Sequence, residues 1–187
     1  MLYWRMSMRT PIDIRPAVEA DLAGIAAVLV ATWRSTFAGL LPEAFLQALS
    51  EEEQLRRHRS RMRVPSVRHF VAVERGSGTI VGFANSGPSR VSRLPYAAEL
   101  YALYVLKSHQ GQGIGQRLVQ AVAAEAVGQG QGSMLVWVLA DNLNRRFYAR
   151  LGAVPVARGP IALGGVSVGQ IAYAWDDLVE QFGLQQA

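Results

Sequence analysis

The sequence predicts one α/β domain, a mixed sheet of about seven strands with flanking helices. Three observations carry that reading. Apolar residues switch repeatedly between the helical period of about 3.6 and the strand period of about two. Half of the 187 residues are hydrophobic and 18% are charged, enough for a sizeable core without disulfides or a structural metal. No composition break or linker marks a second core.

The elements follow in order. Residues 1–9 read as a short extension with Met6 and Met8 as alternative starts, residues 10–180 as the domain, and residues 181–187 as a tail. Ile12 and Ile14 open a first strand that Pro16 stops. Residues 18–33 then carry Leu22, Ile25, Ala26, Leu29 and Val30 at helical spacing. Pro42 opens a short helix reaching about Leu49. Ser50 ahead of Glu51, Glu52 and Glu53 is a helix start, with an acceptor cap and an acidic first turn. Arg56, Arg57, Arg59, Arg61 and Arg63 fall toward its end, and Pro65 closes it. Residues 68–74 and 79–85 alternate as strands around Gly76-Ser77-Gly78. Residues 99–106 form a further strand. A glycine-rich turn at residues 110–115 leads to a helix over residues 113–127 with Ile114, Leu118, Val122 and Ala126 on one face. Residues 133–140 are again strand-like. Asn142 or its neighbour caps a helix through Leu151, Gly152 ends it, and strands over residues 154–163 and 166–175 finish the domain.

Composition excludes several classes of function. With no cysteine, disulfide frameworks, cysteine-ligated metals and thiol nucleophiles are out. No run approaches the roughly 20 apolar residues of a membrane span, and the N-terminus lacks the apolar stretch of a secretory signal. The expectation is a cytoplasmic protein with no membrane partner. The net charge of +5 raises nucleic acid as an alternative. However, the arginine run follows an acidic turn and has no interleaved aromatics, as an ordinary charge-complemented helix would. His58, His69 and His109 sit in different elements without metal spacing, so no metal is assigned.

The most informative stretch is Gln110-Gly111-Gln112-Gly113-Ile114-Gly115. It joins a strand to a helix N-terminus, where glycine permits positive φ and close approach of a ligand, and free N–H groups with the helix dipole favour an anion. A dinucleotide fingerprint fails because Gln116 and Leu118 stand where small residues are needed. A P-loop fails for want of Gly-Lys followed by Ser or Thr.

The pattern Gln110-x-x-Gly113-x-Gly115 after a strand resembles the acyl-CoA signature of the GNAT superfamily of N-acetyltransferases. A second stretch, Asp141-Asn142-Leu143-Asn144-Arg145-Arg146-Phe147-Tyr148-Ala149-Arg150-Leu151-Gly152, resembles that family's Asn-initiated helix with Phe-Tyr and a closing Leu-Gly. Asn144 departs from it, since many relatives carry a small residue there. The resemblance implies acetyl-CoA as cosubstrate. Its pyrophosphate would lie on the amides of residues 110–116 (Gln110, Gly111, Gln112, Gly113, Ile114, Gly115 and Gln116). Its pantetheine arm would lie along a bulged strand at Leu103 and Val105, with Asn142 either a cap or a pantetheine contact. Transfer would go directly to a primary amine of a small molecule or a protein, and the family's habit leaves a homodimer open.

Four services are then needed: holding CoA, polarising the carbonyl, deprotonating the amine and protonating the thiolate. A backbone N–H at Val105 is best placed for the second. Glu99, the acidic residue in the strand and eleven positions before Gln110, suits the base, directly or through water. The alternatives are a strand-end glutamate paired with an arginine and a water chain as base. Tyr148 matches the family tyrosine that protonates the sulfur; the alternative is a tyrosine buried for packing. The resemblance also implies that residues 33–42, between the first two helices, wall the acceptor cleft; the alternative is that their aromatic residues simply pack two helices together. A non-catalytic acyl-CoA sensor on the same fold remains a second reading, which intact Glu99 and Tyr148 disfavour.

Overall fold

In the computed structural model, which describes residues 10–185, the strands are β1 (Ile12–Pro16), β2 (Arg68–Glu74), β3 (Ile80–Pro88), β4 (Ala98–Val105), β5 (Met134–Leu139), β6 (Val154–Leu163) and β7 (Val166–Trp175). They form one seven-stranded sheet in the order β1-β2-β3-β4-β5-β7-β6. All neighbours are antiparallel except β4 and β5. A parallel pair needs a crossover, and α4 (Ile114–Gly128) supplies it. The mixed sheet with flanking helices is therefore as the sequence predicts. The 1–9 extension lies outside the described residues.

The two helical stripes read from sequence cover opposite faces. On one face, Leu22, Ile25 and Leu29 of α1 (Leu22–Thr36) pack with Val71 and Phe83 of the sheet, flanked by α3 (Glu51–Met62). On the other, Ile114, Leu118 and Val122 of α4 pack against Val81, Ala84 and Leu100. At the end of α1 the chain turns into α2 (Glu43–Gln47), where Phe37, Leu41 and Leu46 form a smaller cluster against Leu139, Leu163 and Val168. Arg34 fixes that corner by donating to the carbonyls of Leu46 (3.1 Å), Gln47 (3.2 Å) and Leu49 (3.0 Å).

The feature that positions the site is a split in the sheet. β4 and β5 pair only through Ala98–Leu100 against Met134–Val136, and beyond this they diverge. The divergence begins at a bulge: Asn85 pairs with Ala102 but Ser86 with Leu100, leaving Tyr101 as the extra residue in β4. Leu106 N–H donates to Val81 O (2.9 Å), so strand alternation turns the N–H and C=O of Val105 and Leu103 toward the open side.

Three local readings change. α1 starts at Leu22 rather than at residue 18, behind a 3-10 turn over Glu19–Asp21. Asp21 accepts from Val18 N–H (2.8 Å) and from the Arg15 guanidinium (2.6 and 2.8 Å), holding the preceding residues out of the helix. Asn142 does not cap α5 (Arg145–Arg150); Asn144 occupies that position, while Asn142 Oδ1 accepts Asn144 N–H (2.9 Å) in a turn ahead of the helix. Finally, the chain does not become a tail at residue 181. α6 (Leu178–Phe182) runs across that boundary, capped by Asp177, with Leu178 buried, and Phe182 lies 5.8 Å from Trp175.

Candidate functional site

The glycine-rich turn ends as a helix start with free donors. Gly113 has φ +76° at the N-cap of α4, and the first intrahelical bond runs from Arg117 N–H to Gly113 O (3.0 Å). The N–H groups of Ile114, Gly115 and Gln116 are thus left without helical acceptors. Gly111 also has positive φ, +71°. Gly115 has a different reason to be glycine: a Cβ there would lie 3.3 Å from Phe147 Cζ. That close approach packs α5 onto the first turn of α4, so the anion-binding turn and Tyr148 share one rigid corner.

From this corner a continuous cleft of about 1380 Å³ follows the split between β4 and β5. It exceeds the roughly 300–1,000 Å³ of a pocket for one drug-sized ligand, leaving room for a long cosubstrate and an acceptor together. Glu99, Leu103, Val105, Gln110, Gly111, Gly115, Asn142 and Tyr148 all line it. Four other sequence-predicted residues do not bring side chains to it. Ile114 is buried in the core, Gln112 donates to Ser108 O (3.3 Å), Gly113 caps the helix and Gln116 is exposed. Gln110 donates to the outward-turned Val105 carbonyl (3.0 Å), tying the turn to the strand. Arg117, next to the turn, is committed to Ile12 O (3.0 Å).

Tyr148 is buried beside Phe147 (ring centroids 5.2 Å), Tyr173 (6.3 Å) and Trp175 (6.4 Å). Its hydroxyl has no hydrogen bond to another described residue. Burial, and secondarily Tyr104, push its pKa well above the ordinary phenol value, so it is protonated at neutral pH. Tyr104, which the sequence did not single out, lines the same cleft and is pushed up to about 12 by burial.

Glu99 is 1% exposed and ion-paired rather than solvent-facing. Arg90 Nη2 and Nε (3.2 Å) both donate to Oε1, and Arg90 N–H donates to Oε2 (2.9 Å). The Arg90 guanidinium also lies over the Tyr101 ring, 4.4 Å from its centroid. The pairing with an arginine weighed from sequence is therefore present. It does not remove Glu99 from the cleft wall.

The far wall comes from α1, α2 and α3. Trp33, Thr36 and Phe37 line the cleft from the stretch expected there. α3, an ordinary charge-complemented helix by its sequence, adds Gln54, Arg57, His58 and Arg61. Much of that helix is indeed charge-complemented, with Arg56–Glu52 (2.6 Å), Arg57–Glu53 and Arg59–Glu19 (2.7 Å) pairs. His58 and His69 come from different elements, α3 and β2, and the fold brings them together: His58 Nδ1 and His69 Nε2 are 3.5 Å apart, and both rings are buried. Desolvation first, then His69 and Arg61, lowers His58 to about 4, and burial followed by Arg61 lowers His69 to about 4. Both are neutral at pH 7.

Comparison with known proteins agrees with this architecture. A family model described as the acetyltransferase (GNAT) family matches residues 30–153. The protein named uncharacterized N-acetyltransferase YuaI, from Bacillus subtilis (strain 168), is 32% identical over 167 residues, covering 89% of this chain and 94% of its own. Among solved structures, an N-acetyltransferase from Staphylococcus aureus Mu50 superposes with a TM-score of 0.70 at 21% identity, over 90% of this chain and 99% of that one. The PaiA N-acetyltransferase from Thermoplasma acidophilum, solved in complex with coenzyme A, gives 0.68 at 19% identity, over 88% and 99%. Among the described residues no helix is long and apolar enough to cross a membrane. The chain belongs to the acetyltransferase (GNAT) family and is an N-acetyltransferase.

Proposed function

We propose that this chain transfers the acetyl group of acetyl-CoA directly to a primary amine, with Tyr148 as the acid and Glu99 as the base. The observation that carries the reading is the single cleft that runs from the free amides at the start of α4, past the open edge of β4, to Glu99, with the unengaged Tyr148 hydroxyl on its wall. The PaiA structure, with coenzyme A bound on the same fold, supports the choice of cosubstrate.

Acetyl-CoA supplies the acetyl group as a thioester. The amides of Ile114, Gly115 and Gln116 and the helix dipole offer a preformed seat for its pyrophosphate. The outward-turned edge at Leu103 and Val105 offers strand-like hydrogen bonds to its amide-bearing arm, and Val105 N–H points to where negative charge gathers on the carbonyl oxygen. Asn142, held by its bond to Asn144, faces the same arm. Glu99 takes a proton from the acceptor ammonium through water, because its oxygens keep lone pairs beyond those that Arg90 engages. The amine then forms the C–N bond as the C–S bond breaks. Tyr148 gives its proton to the departing sulfur and is reprotonated by the second amine proton, while Glu99 releases the first to solvent. With no cysteine in the chain, a cysteine-borne acyl group has no place in this scheme.

The test is thiol release from acetyl-CoA over a panel of primary amines, together with calorimetry of acetyl-CoA binding. Amine-dependent release with an acetylated product supports the reading. Binding without transfer to any amine would reduce the role to sensing.

A further inference from the structure

The acceptor end of the cleft carries charge that the proposed chemistry leaves unused. Arg57, Arg61 and Arg90 gather there, on α3 and on the loop before β4. Arg57 is neutralised by Glu53 and Arg90 by Glu99, but Arg61 has no carboxylate partner among the described residues. The three guanidiniums are close enough that, after desolvation, Arg90 and Arg57 are the main influences lowering the Arg61 pKa. All three side chains keep solvent access at the rim of the cleft, and Arg61 is the one of them whose charge no carboxylate among the described residues balances.

This end does not serve the cosubstrate phosphates. Arg90 is anchored at Glu99 and Tyr101, at the start of β4, and the anion-binding turn follows the end of that strand. The four steps from Tyr101 to Val105 alone span roughly 13 Å. A second observation points to a ligand at the arginines. His58 is fully buried, neutral and lines the cleft, yet its Nε2 has no hydrogen-bond partner among the described residues. Gln54, one turn earlier on the same helix face, is buried and lines it too. Buried polar groups without partners are rare, and a polar ligand reaching His58 Nε2 would satisfy it.

We propose that the acceptor is a small amine that also carries an anionic group, a carboxylate or a phosphate, bound by Arg61 between Arg57 and Arg90, with His58 and Gln54 as neutral hydrogen-bonding partners. Arg61 thus selects among amines rather than driving the transfer, and the inference rests on the acetyltransferase reading above. Fixed at its anion, the acceptor presents its amine toward Glu99, which lies next to the arginines.

Matched substrates test this with the full chain. Amino acids are compared with their amides, and O-phosphoethanolamine with ethanolamine, by thiol release at saturating acetyl-CoA. The anionic member of at least one pair is expected to have a kcat/KM at least tenfold above its neutral counterpart, and the pair concerned separates carboxylate from phosphate. R61A is expected to cut that ratio about tenfold, mainly through KM, and R61K to restore part of it. Neutral members turned over as well as anionic ones would overturn the inference. So would R61A lowering both members of a pair equally, or neither turnover nor calorimetric binding of any anionic member by a protein that binds acetyl-CoA. Absence of acetyl-CoA binding would instead overturn the acetyltransferase scheme itself.

Discussion

Replacing Tyr148 by phenylalanine removes one hydroxyl and little else. The ring keeps its contacts with Phe147, Tyr173 and Trp175, and the lost hydroxyl leaves no described hydrogen-bond partner orphaned. Stability should therefore change by no more than about 0.5 kcal/mol. The proton for the leaving thiolate, however, would have to come from water. General acid catalysis is worth about 10²–10⁴-fold, so kcat should fall at least about a hundredfold, or roughly 2.7 kcal/mol of barrier. Acetyl-CoA affinity, which depends on the amides and the strand edge, should stay within about twofold. Thiol-release kinetics beside calorimetry and a thermal melt separate these quantities. Full activity in the Phe variant would refute the acid role, and a drop in kcat that tracks a loss of stability would show a packing tyrosine instead.

Three further outcomes are expected. Gly113→Ala forces a side chain onto a residue at φ +76°, a cost of roughly 1–2 kcal/mol, and should weaken acetyl-CoA binding by calorimetry without changing which amine is accepted. Glu99→Gln keeps an oxygen for Arg90 but cannot take a proton; kcat/KM for the amine should fall at least about tenfold, most at the lower pH values where the amine is protonated. His58 and His69 sit near 4 in the folded protein against 6.5 when unfolded, so the unfolded chain gains protons first as pH falls. Their contribution to stability is full above about pH 6.5 and is lost toward about pH 4, each holding up to about 1.4 kcal/mol per pH unit in that window. Urea unfolding between those limits should show this slope, and His69→Gln should cut it by about half; an unchanged slope would count against the neutral pair.

Much of this architecture was legible because it is written locally. The Ser50 cap is present, with Glu53 N–H donating to its Oγ (3.3 Å), and the α1 and α4 stripes are buried as spaced. The turn at Gly111 and Gly113 needs positive φ, which glycine alone takes freely. Local signals also misled. Asn142 and Asn144 are equally good caps by type, and the choice between them falls to the turn that Asn142 makes. α6 was missed because five residues carry too little periodicity, although Asp177 ahead of Leu178 was a usable start signal.

The acceptor half was hidden for a physical reason. Arg61 belongs to the site only because α3 packs beside α1 over the sheet, and His58 meets His69 only because β2 returns beneath that helix. Glu99 was placed in the cleft by its strand, but its partner Arg90 comes from a loop whose course no periodicity encodes. Long-range packing decides such contacts, and spacing along the chain says nothing about them.

The central claim is that the split between β4 and β5 holds acetyl-CoA with its sulfur at Tyr148. A crystal structure with coenzyme A bound tests it most directly. The expected result places pyrophosphate oxygens within about 3.2 Å of the N–H groups of Ile114, Gly115 or Gln116, and the thiol within about 4 Å of the Tyr148 hydroxyl. Coenzyme A seated outside the split, or a thiol pointing away from Tyr148, would contradict it.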